Sequence, residues 1–218
     1  MSTLKLVLSV VNVGVRFLLT ARTQRAAAGY VTVGGDAVED FDAMERGLKN
    51  HGYPAPEVNG LTMGGGGYAQ IGPVIVGGTG EGSGATAEDA YLVGGVGSGG
   101  GGAQFGLLLI DWAWLRVYPL VVVGGRGAGA SVRPKNNTTQ GVSLGTGGVQ
   151  VVAGVGIELR LPLSTGFQPM IGAHVGWIWN PGDKWVGNLS VDASEMGSRQ
   201  TSAPYVRMLL GAGTRSTP

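Results

Sequence analysis

The chain has 218 residues, of which 43 are glycine, with a formal net charge of +1 and no cysteine. Hydrophobic residues make up 43% and charged residues only 13%, the opposite of the charge-rich, apolar-poor balance that keeps a chain disordered. The glycines cluster instead of recurring at every third position, which excludes collagen. The charge balance leaves no basic footprint for nucleic acid, and the missing thiols exclude disulfides, thiolate metal centres and cysteine nucleophiles.

From Leu4 to Leu19 the chain is mostly apolar, with Val11, Val13, Val15, Phe17 and Leu19 in one row and Asn12, Gly14, Arg16 and Leu18 in the other. Period two marks a strand with unlike faces. Two alternatives remain open. Ala26-Ala27-Ala28 gives a small-residue cleavage site for a signal peptide. A membrane helix is the other, although Asn12 and Arg16 interrupt the run.

One segment reads as helix, near residues 36–50. Gly34-Gly35 breaks the strand pattern, Asp36 can cap, and Glu39, Asp40 and Asp42 suit the positive end of the helix dipole. Val38, Phe41, Met44 and Leu48 form one apolar stripe. Gly52 and Pro54 then supply the stop, so a helical insertion spans about 36–52. The acidic residues lack the alternate-ligand, central-glycine spacing of a calcium loop, so a solvated helix face accounts for them.

Beyond Asn59 alternation dominates. Strands are expected near 61–70, 73–80, 90–99, 103–112 and 204–213, besides three clear ones. In Leu115–Val123, Leu115, Val117, Val121 and Val123 oppose Arg116 and Tyr118. In Val149–Leu161, Val149, Val151, Ala153, Val155, Ile157, Leu159 and Leu161 oppose Gln150, Gly154, Gly156, Glu158 and Arg160. In Phe167–Asn180, Phe167, Pro169, Ile171, Ala173, Val175, Trp177 and Trp179 oppose Gln168, Met170, Gly172, His174, Gly176, Ile178 and Asn180. Short gaps alternate with longer ones at about 133–143 and 181–203. This predicts one all-β domain over 1–218, an antiparallel up-and-down barrel of about eight to ten strands.

The second row of these strands is glycine, glutamine, histidine and a few charges, not Lys and Glu throughout. That favours apolar side chains outward toward lipid, with small and polar ones inward. Arg116, Arg126, Gln150, Glu158, Arg160, Gln168 and His174 then form an interior polar network. It is either the wall of a channel or cavity, or a plug that satisfies the barrel's own inside. Trp112 with Trp114, and Trp177 with Trp179, sit near strand ends, where membrane-interface aromatics belong; ordinary core tryptophans would look the same.

The alternating segments and the ending Pro204-Tyr205-Val206-Arg207-Met208-Leu209-Leu210 resemble bacterial outer-membrane β-barrel proteins. Gly52-Tyr53-Pro54, Leu61-Thr62-Met63-Gly64-Gly65-Gly66-Gly67-Tyr68, Val76-Gly77-Gly78-Thr79-Gly80 and Tyr118-Pro119-Leu120 resemble uncharacterised glycine-rich bacterial proteins of the same kind. The resemblance implies a barrel and an envelope location, and no chemistry.

Catalytic motifs fail on context. Gly95-Val96-Gly97-Ser98-Gly99-Gly100 spells a dinucleotide loop, but strand and more glycine follow it where a helix is needed. Gly78–Thr86 lacks the lysine of a phosphate loop. Gly141-Val142-Ser143-Leu144-Gly145 spells a nucleophile elbow on strand-like flanks, with only His51 and His174 in the chain to serve it. Asn136, Asn137 and Asn188 match a glycosylation triplet and mark exposed loops. No metal, cofactor or enzymatic activity is expected. The expected function is a small outer-membrane-type barrel of the bacterial envelope, structural or transport-like, with the lipid bilayer or copies of itself as partner and no nucleic acid. The rival readings are a self-assembling glycine-rich filament or lattice, and a soluble barrel around an apolar ligand.

Overall fold

A computed structural model describes residues 25–36, 41–57, 61–136, 141–161, 163, 166–181, 185–189 and 202–215. The apolar run Leu4–Leu19 lies outside the described residues.

Eight long strands follow one another: β1 (Arg25–Asp36), β2 (Leu61–Ile71), β3 (Val74–Glu88), β4 (Leu92–Leu107), β5 (Leu115–Pro134), β6 (Val142–Arg160), β7 (Phe167–Trp179) and β8 (Ser202–Arg215). Each pairs antiparallel with its sequence neighbours, and β8 pairs β1 to close the ring. Two-residue segments extend it: Ile110–Asp111 pairs with β5, and Val186–Gly187 with β6. The expected antiparallel up-and-down barrel is therefore what the chain forms, with eight long strands and one short helix, α1 (Phe41–Asn50), among the described residues.

The registers fix the barrel's shape. A walk across the strands from Trp179 passes through Val151, Val123, Ala103, Gly78, Gly67, Gly29 and Ala212 and returns to β7 at Pro169. The return is displaced by ten residues from Trp179 to Pro169. For eight strands this stagger tilts them by roughly 40° to the axis. Both described termini and residues 72–73, 108–114, 161, 163 and 166 lie at one end, the terminal end. The other end, the loop end, carries the described residues 41–57, 89–91, 135–136, 141, 180–181 and 185–189.

Several boundaries differ from expectation. Asp36 is the last residue of β1, opposite Tyr205, and does not cap the helix, which begins at Phe41. The helix ends as expected, with Gly52 at φ 72°. The expected strands 90–99 and 103–112 are one continuous β4, followed by the short Ile110–Asp111. Gly99-Gly100-Gly101-Gly102 does not break it, because β3 and β5 hold its backbone on both sides. Likewise β3 runs on to Glu88, and β5 and β6 run past Arg133 and Ser143, so the gap expected at 133–143 shrinks to 135–141.

Two buried clusters fill the inside. One lies within the ring and includes Tyr30, Tyr68, Ile75, Tyr118, Leu120, Val152, Ile178, Tyr205 and Leu209. The other lies at the loop end, where Met44 and Leu48 of α1 pack with Leu189 against Val96, Ala128, Ala130, Val132 and Leu144, on the inner face of β4, β5 and β6. These three strands and β3 project beyond the pairing limits of β2 and β7, which stop at Met63 and Trp179. The amphipathic helix covers the apolar inner face of the projecting wall.

Candidate functional site: the barrel interior and its outer belt

Strand parity decides which residues meet in the middle. Arg116, Arg126, Gln150, Glu158, Arg160, Gln168 and His174 are all buried, on the inward rows of β5, β6 and β7. Glu158 is the centre of the network and has no exposed surface. Its carboxylate accepts from the hydroxyls of Tyr68 (2.7 Å to Oε2) and Tyr118 (2.7 Å to Oε1), and from Arg160 Nε and Nη2 at 3.1 and 2.7 Å. Arg160 also donates to the Tyr68 oxygen and to Gln168 Oε1. Because Tyr118 spends its proton on Glu158, its contact with His174 Nε2 at 3.0 Å has the imidazole donating, which fixes the tautomer. Tyr30 and Tyr118 each meet the His174 ring edge to face, with centroids 5.9 Å apart in both pairs. The Tyr30 hydroxyl donates onward to Gln104 Oε1 at 2.7 Å.

Two further groups flank this one. Nearer the loop end, Arg126 and Arg207 both donate to Glu81 Oε1, and the Arg207 guanidinium lies 4.7 Å from the centre of the Tyr205 ring. At the terminal end Arg116 Nε donates to Asp111 Oδ1 at 2.8 Å, and Gln70 donates to the Gly72 carbonyl at 2.9 Å. A buried ion pair loses much hydration, and its attraction recovers that cost only when the remaining lone pairs and protons also find partners. Glu158 meets that condition with four donors.

Inward glycines make the space. Tyr30 lies opposite Gly66 and Tyr118 opposite Gly156. A Cβ on Gly66 would stand 2.8 Å from the Tyr30 hydroxyl oxygen, and one on Gly156 2.5 Å from the Tyr118 ring. An aromatic ring lying across a neighbouring glycine fills the barrel without forcing the strands apart. The result is a packed polar interior, in which Gln104, Gln150, Tyr118 and Glu158 are all under 3% exposed.

Sequence reasoning missed Tyr30, Tyr68, Gln70, Glu81, Gln104 and Arg207 as members of this interior. Most sit in glycine-rich stretches, where no apolar row marks the opposite face. Position in the strand was the available signal: Tyr68 and Gln70 share a parity opposed to Met63 and Ile71.

The opposite rows face out. Val149 is 58% exposed while Val152, of the other parity, is fully buried. The outward residues of β7 run from Phe167 to Trp179 with Ile171 and Val175 between, all exposed. With strand rise and tilt, that row spans about 30 Å along the barrel axis. Val31, Val33, Leu61, Met63, Ile71, Val121, Val123, Ile157, Leu159, Val206, Met208 and Leu210 continue the belt around β1, β2, β5, β6 and β8. Trp177 and Trp179 border it toward the loop end. Trp112 and Trp114 border it at the terminal end, with their rings 5.8 Å apart.

The outward face also departs from the expectation that glycine keeps to the inward row. Gly80, Gly82 and Gly84 of β3 lie beside Gly101, Gly99 and Gly97 of β4, and these beside Gly125, Gly127 and Gly129 of β5. All have the outward parity of Val76, Phe105 and Val123. This part of the outer surface is bare backbone. A groove of about 660 Å³ crosses it at the loop end, lined by Gly84, Thr86, Gly95, Ser131, Ser143 and Gly145 among others. Among the described residues no group of three His, Asp or Glu is placed to hold a metal.

No family model matches the chain, and no curated protein matches it. Solved structures do. Ail, the attachment invasion locus protein of Yersinia pestis, in complex with the heparin analogue sucrose octasulfate, is 12% identical over 89% of this chain and 99% of its own, with a TM-score of 0.47. A major outer membrane protein from Thermus thermophilus is 10% identical over 88% and 99%, with a TM-score of 0.45. The outer membrane protease OmpT from Escherichia coli is 8% identical over 91% and 98%, with a TM-score of 0.40. All three are outer-membrane proteins, and at these identities and scores the likeness carries no residue role, ligand or activity to this chain.

Proposed function

We propose that the chain is an outer-membrane-type β-barrel of the bacterial envelope, holding its outer belt in lipid and serving a structural or surface role without catalysis. The observation that carries this reading is the belt itself. Valine, leucine, isoleucine and tryptophan point outward around most of the ring, over a height matching the apolar band of roughly 25 Å of transmembrane barrels. A soluble barrel around an apolar ligand turns such residues inward, whereas here the inward rows hold Glu158, Arg160, Arg116 and His174. Among the described residues no helix is long and apolar enough to cross a membrane; in this reading the strands do the crossing. The interior supports a plug over an open pore, because Glu158, Arg160, Tyr68 and Tyr118 at its centre are buried and bonded to one another.

Carbonate extraction and flotation of the native protein test the reading. It should float with phospholipid vesicles and stay with them at alkaline pH. Release into detergent-free buffer as a monomer would overturn it. Planar-bilayer recording separates plug from pore: no steady ion conductance is expected above the bare bilayer.

A further inference from the structure

The projecting wall of β3–β6 has two side edges, and the chain treats them differently. Beyond Val151, where β7 stops pairing, the β6 edge is dressed by the chain itself. Val186 and Gly187 pair with Gly145 and Leu144, the Asn188 N–H donates to the Ser143 carbonyl at 2.9 Å, and the Asn188 side chain accepts from the Ser143 N–H at 2.9 Å. On the other side β2 stops pairing with β3 at Met63–Gly82. From Ser83 to Glu88, β3 pairs only with β4, and among the described residues nothing pairs with its outer side. Alternate residues of that stretch direct N–H and C=O groups sideways, the hydrogen-bonding pattern that an extended polypeptide completes.

Natural sheets blunt such an edge with lysine, proline, a bulge or a covering segment. The stretch Ser83-Gly84-Ala85-Thr86-Ala87 has no lysine or proline, its side chains are too small to obstruct an approaching strand, and no segment among the described residues pairs along its outer side. Two features restrict what fits. Glu88 stands at the tip in the outward row, its side chain 65% exposed although it meets Lys135 at 3.3 Å, and favours a basic residue opposite. Gly84 begins a row of outward glycines, Gly84, Gly97, Gly129 and Gly145, within the groove. Inside the barrel this chain lays tyrosine rings across neighbouring glycines; on the outside, among the described residues, no ring lies over Gly84, Gly97, Gly129 or Gly145.

We propose that the Ser83–Glu88 edge of β3 takes an extended segment of another protein as an added antiparallel strand, with a basic residue opposite Glu88 and a large aromatic or aliphatic side chain opposite Gly84. The inference rests on the membrane reading only in placing this edge clear of the bilayer. Binding measured in detergent does not depend on a bilayer, so failure here and failure of lipid association are distinguishable.

The test uses the full chain in detergent micelles and a labelled peptide, Lys-Thr-Val-Thr-Trp-Thr, whose first, third and fifth residues fall opposite Glu88, Thr86 and Gly84. Fluorescence anisotropy should show saturable binding, and the Ser83–Glu88 amides should gain protection from hydrogen exchange. Methylating one alternate set of peptide amides should weaken binding at least about 10-fold while methylating the other set leaves it within about 2-fold, because only one set faces β3. Glu88→Lys should weaken it about 3- to 5-fold at low salt, the range of an exposed ion pair. No saturable binding, or equal sensitivity to both methylation patterns, overturns the proposal. If the peptide fails and phosphatidylcholine vesicles carrying the protein instead clump with one another, the edge takes a second copy across facing membranes, and the proposal is likewise wrong.

Discussion

At the scale of single residues, glycine does two unlike jobs that composition alone cannot separate. Gly156 faces inward, and a Cβ there would stand 2.5 Å from Cε2 and Cζ of Tyr118. That ring cannot yield easily, because it is fully buried and its hydroxyl is tied to Glu158 and His174. Gly147 faces outward, and its Cβ would meet nothing nearer than the Arg126 carbonyl oxygen at 3.7 Å, an ordinary contact. Gly156→Ala should therefore destabilise by about 1–3 kcal/mol, the usual cost of overpacking. Gly147→Ala should be neutral or stabilise by up to about 1 kcal/mol, through loss of freedom in the unfolded chain. Chemical unfolding of both variants in the same detergent checks the contrast, and equal effects would show that the inward and outward assignments are wrong.

At the scale of elements, α1 is the piece that differs from its surroundings. Its buried stripe, Met44 and Leu48, rests on the small inward residues of β4, β5 and β6. An i,i+4 ion pair between Glu45 and Lys49 lies on its exposed side. Beside it the β3–β4 turn is held by Asp89, whose carboxylate accepts the Tyr91 and Leu92 N–H groups at 2.7 Å each, holding its pKa below the usual carboxylate value. Because α1 belongs to a connection and not to the ring, its docking can open locally. Leu48→Ala should weaken that docking by about 2–5 kcal/mol. Hydrogen exchange should then quicken in Phe41–Asn50 while amides of β5 and β6 keep their protection. Uniform quickening would mean that helix and barrel are one cooperative unit.

The elements also show what the sequence carried. The inward and outward rows of β5, β6 and β7 were legible because valine, leucine and tryptophan alternate there with Arg116, Glu158 and His174. The same property hid β4: Gly99-Gly100-Gly101-Gly102 has no hydrophobic period, and its strand state comes from ladders on both sides, a tertiary fact. Asp36 looked like a helix cap because its acidic neighbours are real helix-start signals, yet pairing with Tyr205 holds it in β1. The interior network was half legible. Its charged members stand out against apolar rows, whereas Tyr30 and Gln104 are separated by 74 residues and meet only through ring closure.

At the scale of the whole molecule, the outer belt sets a depth profile that a soluble barrel would lack. On β6 the outward row runs from Gly145 and Gly147 at the loop end through Val149, Val155 and Leu159 toward the terminal end. Val155 falls near the middle of the apolar stretch and is 38% exposed. An arginine in the middle of a bilayer costs about 2–4 kcal/mol, falling to about 0–1 kcal/mol near the interface. Val155→Arg should therefore lower unfolding stability in phospholipid vesicles by about 2–4 kcal/mol, and Leu161→Arg by no more than about 1 kcal/mol. Gly145→Arg should lie at the low end too, since the projecting wall carries that position past the belt and its Cβ meets only the Ala128 carbonyl oxygen, at 3.5 Å. Lipid is the only surrounding that grades the three by height. In water each is a surface substitution within about 0.5 kcal/mol of neutral. In a filament the penalty follows whichever face is buried between copies, and the bare glycine wall at Gly145 would then suffer most.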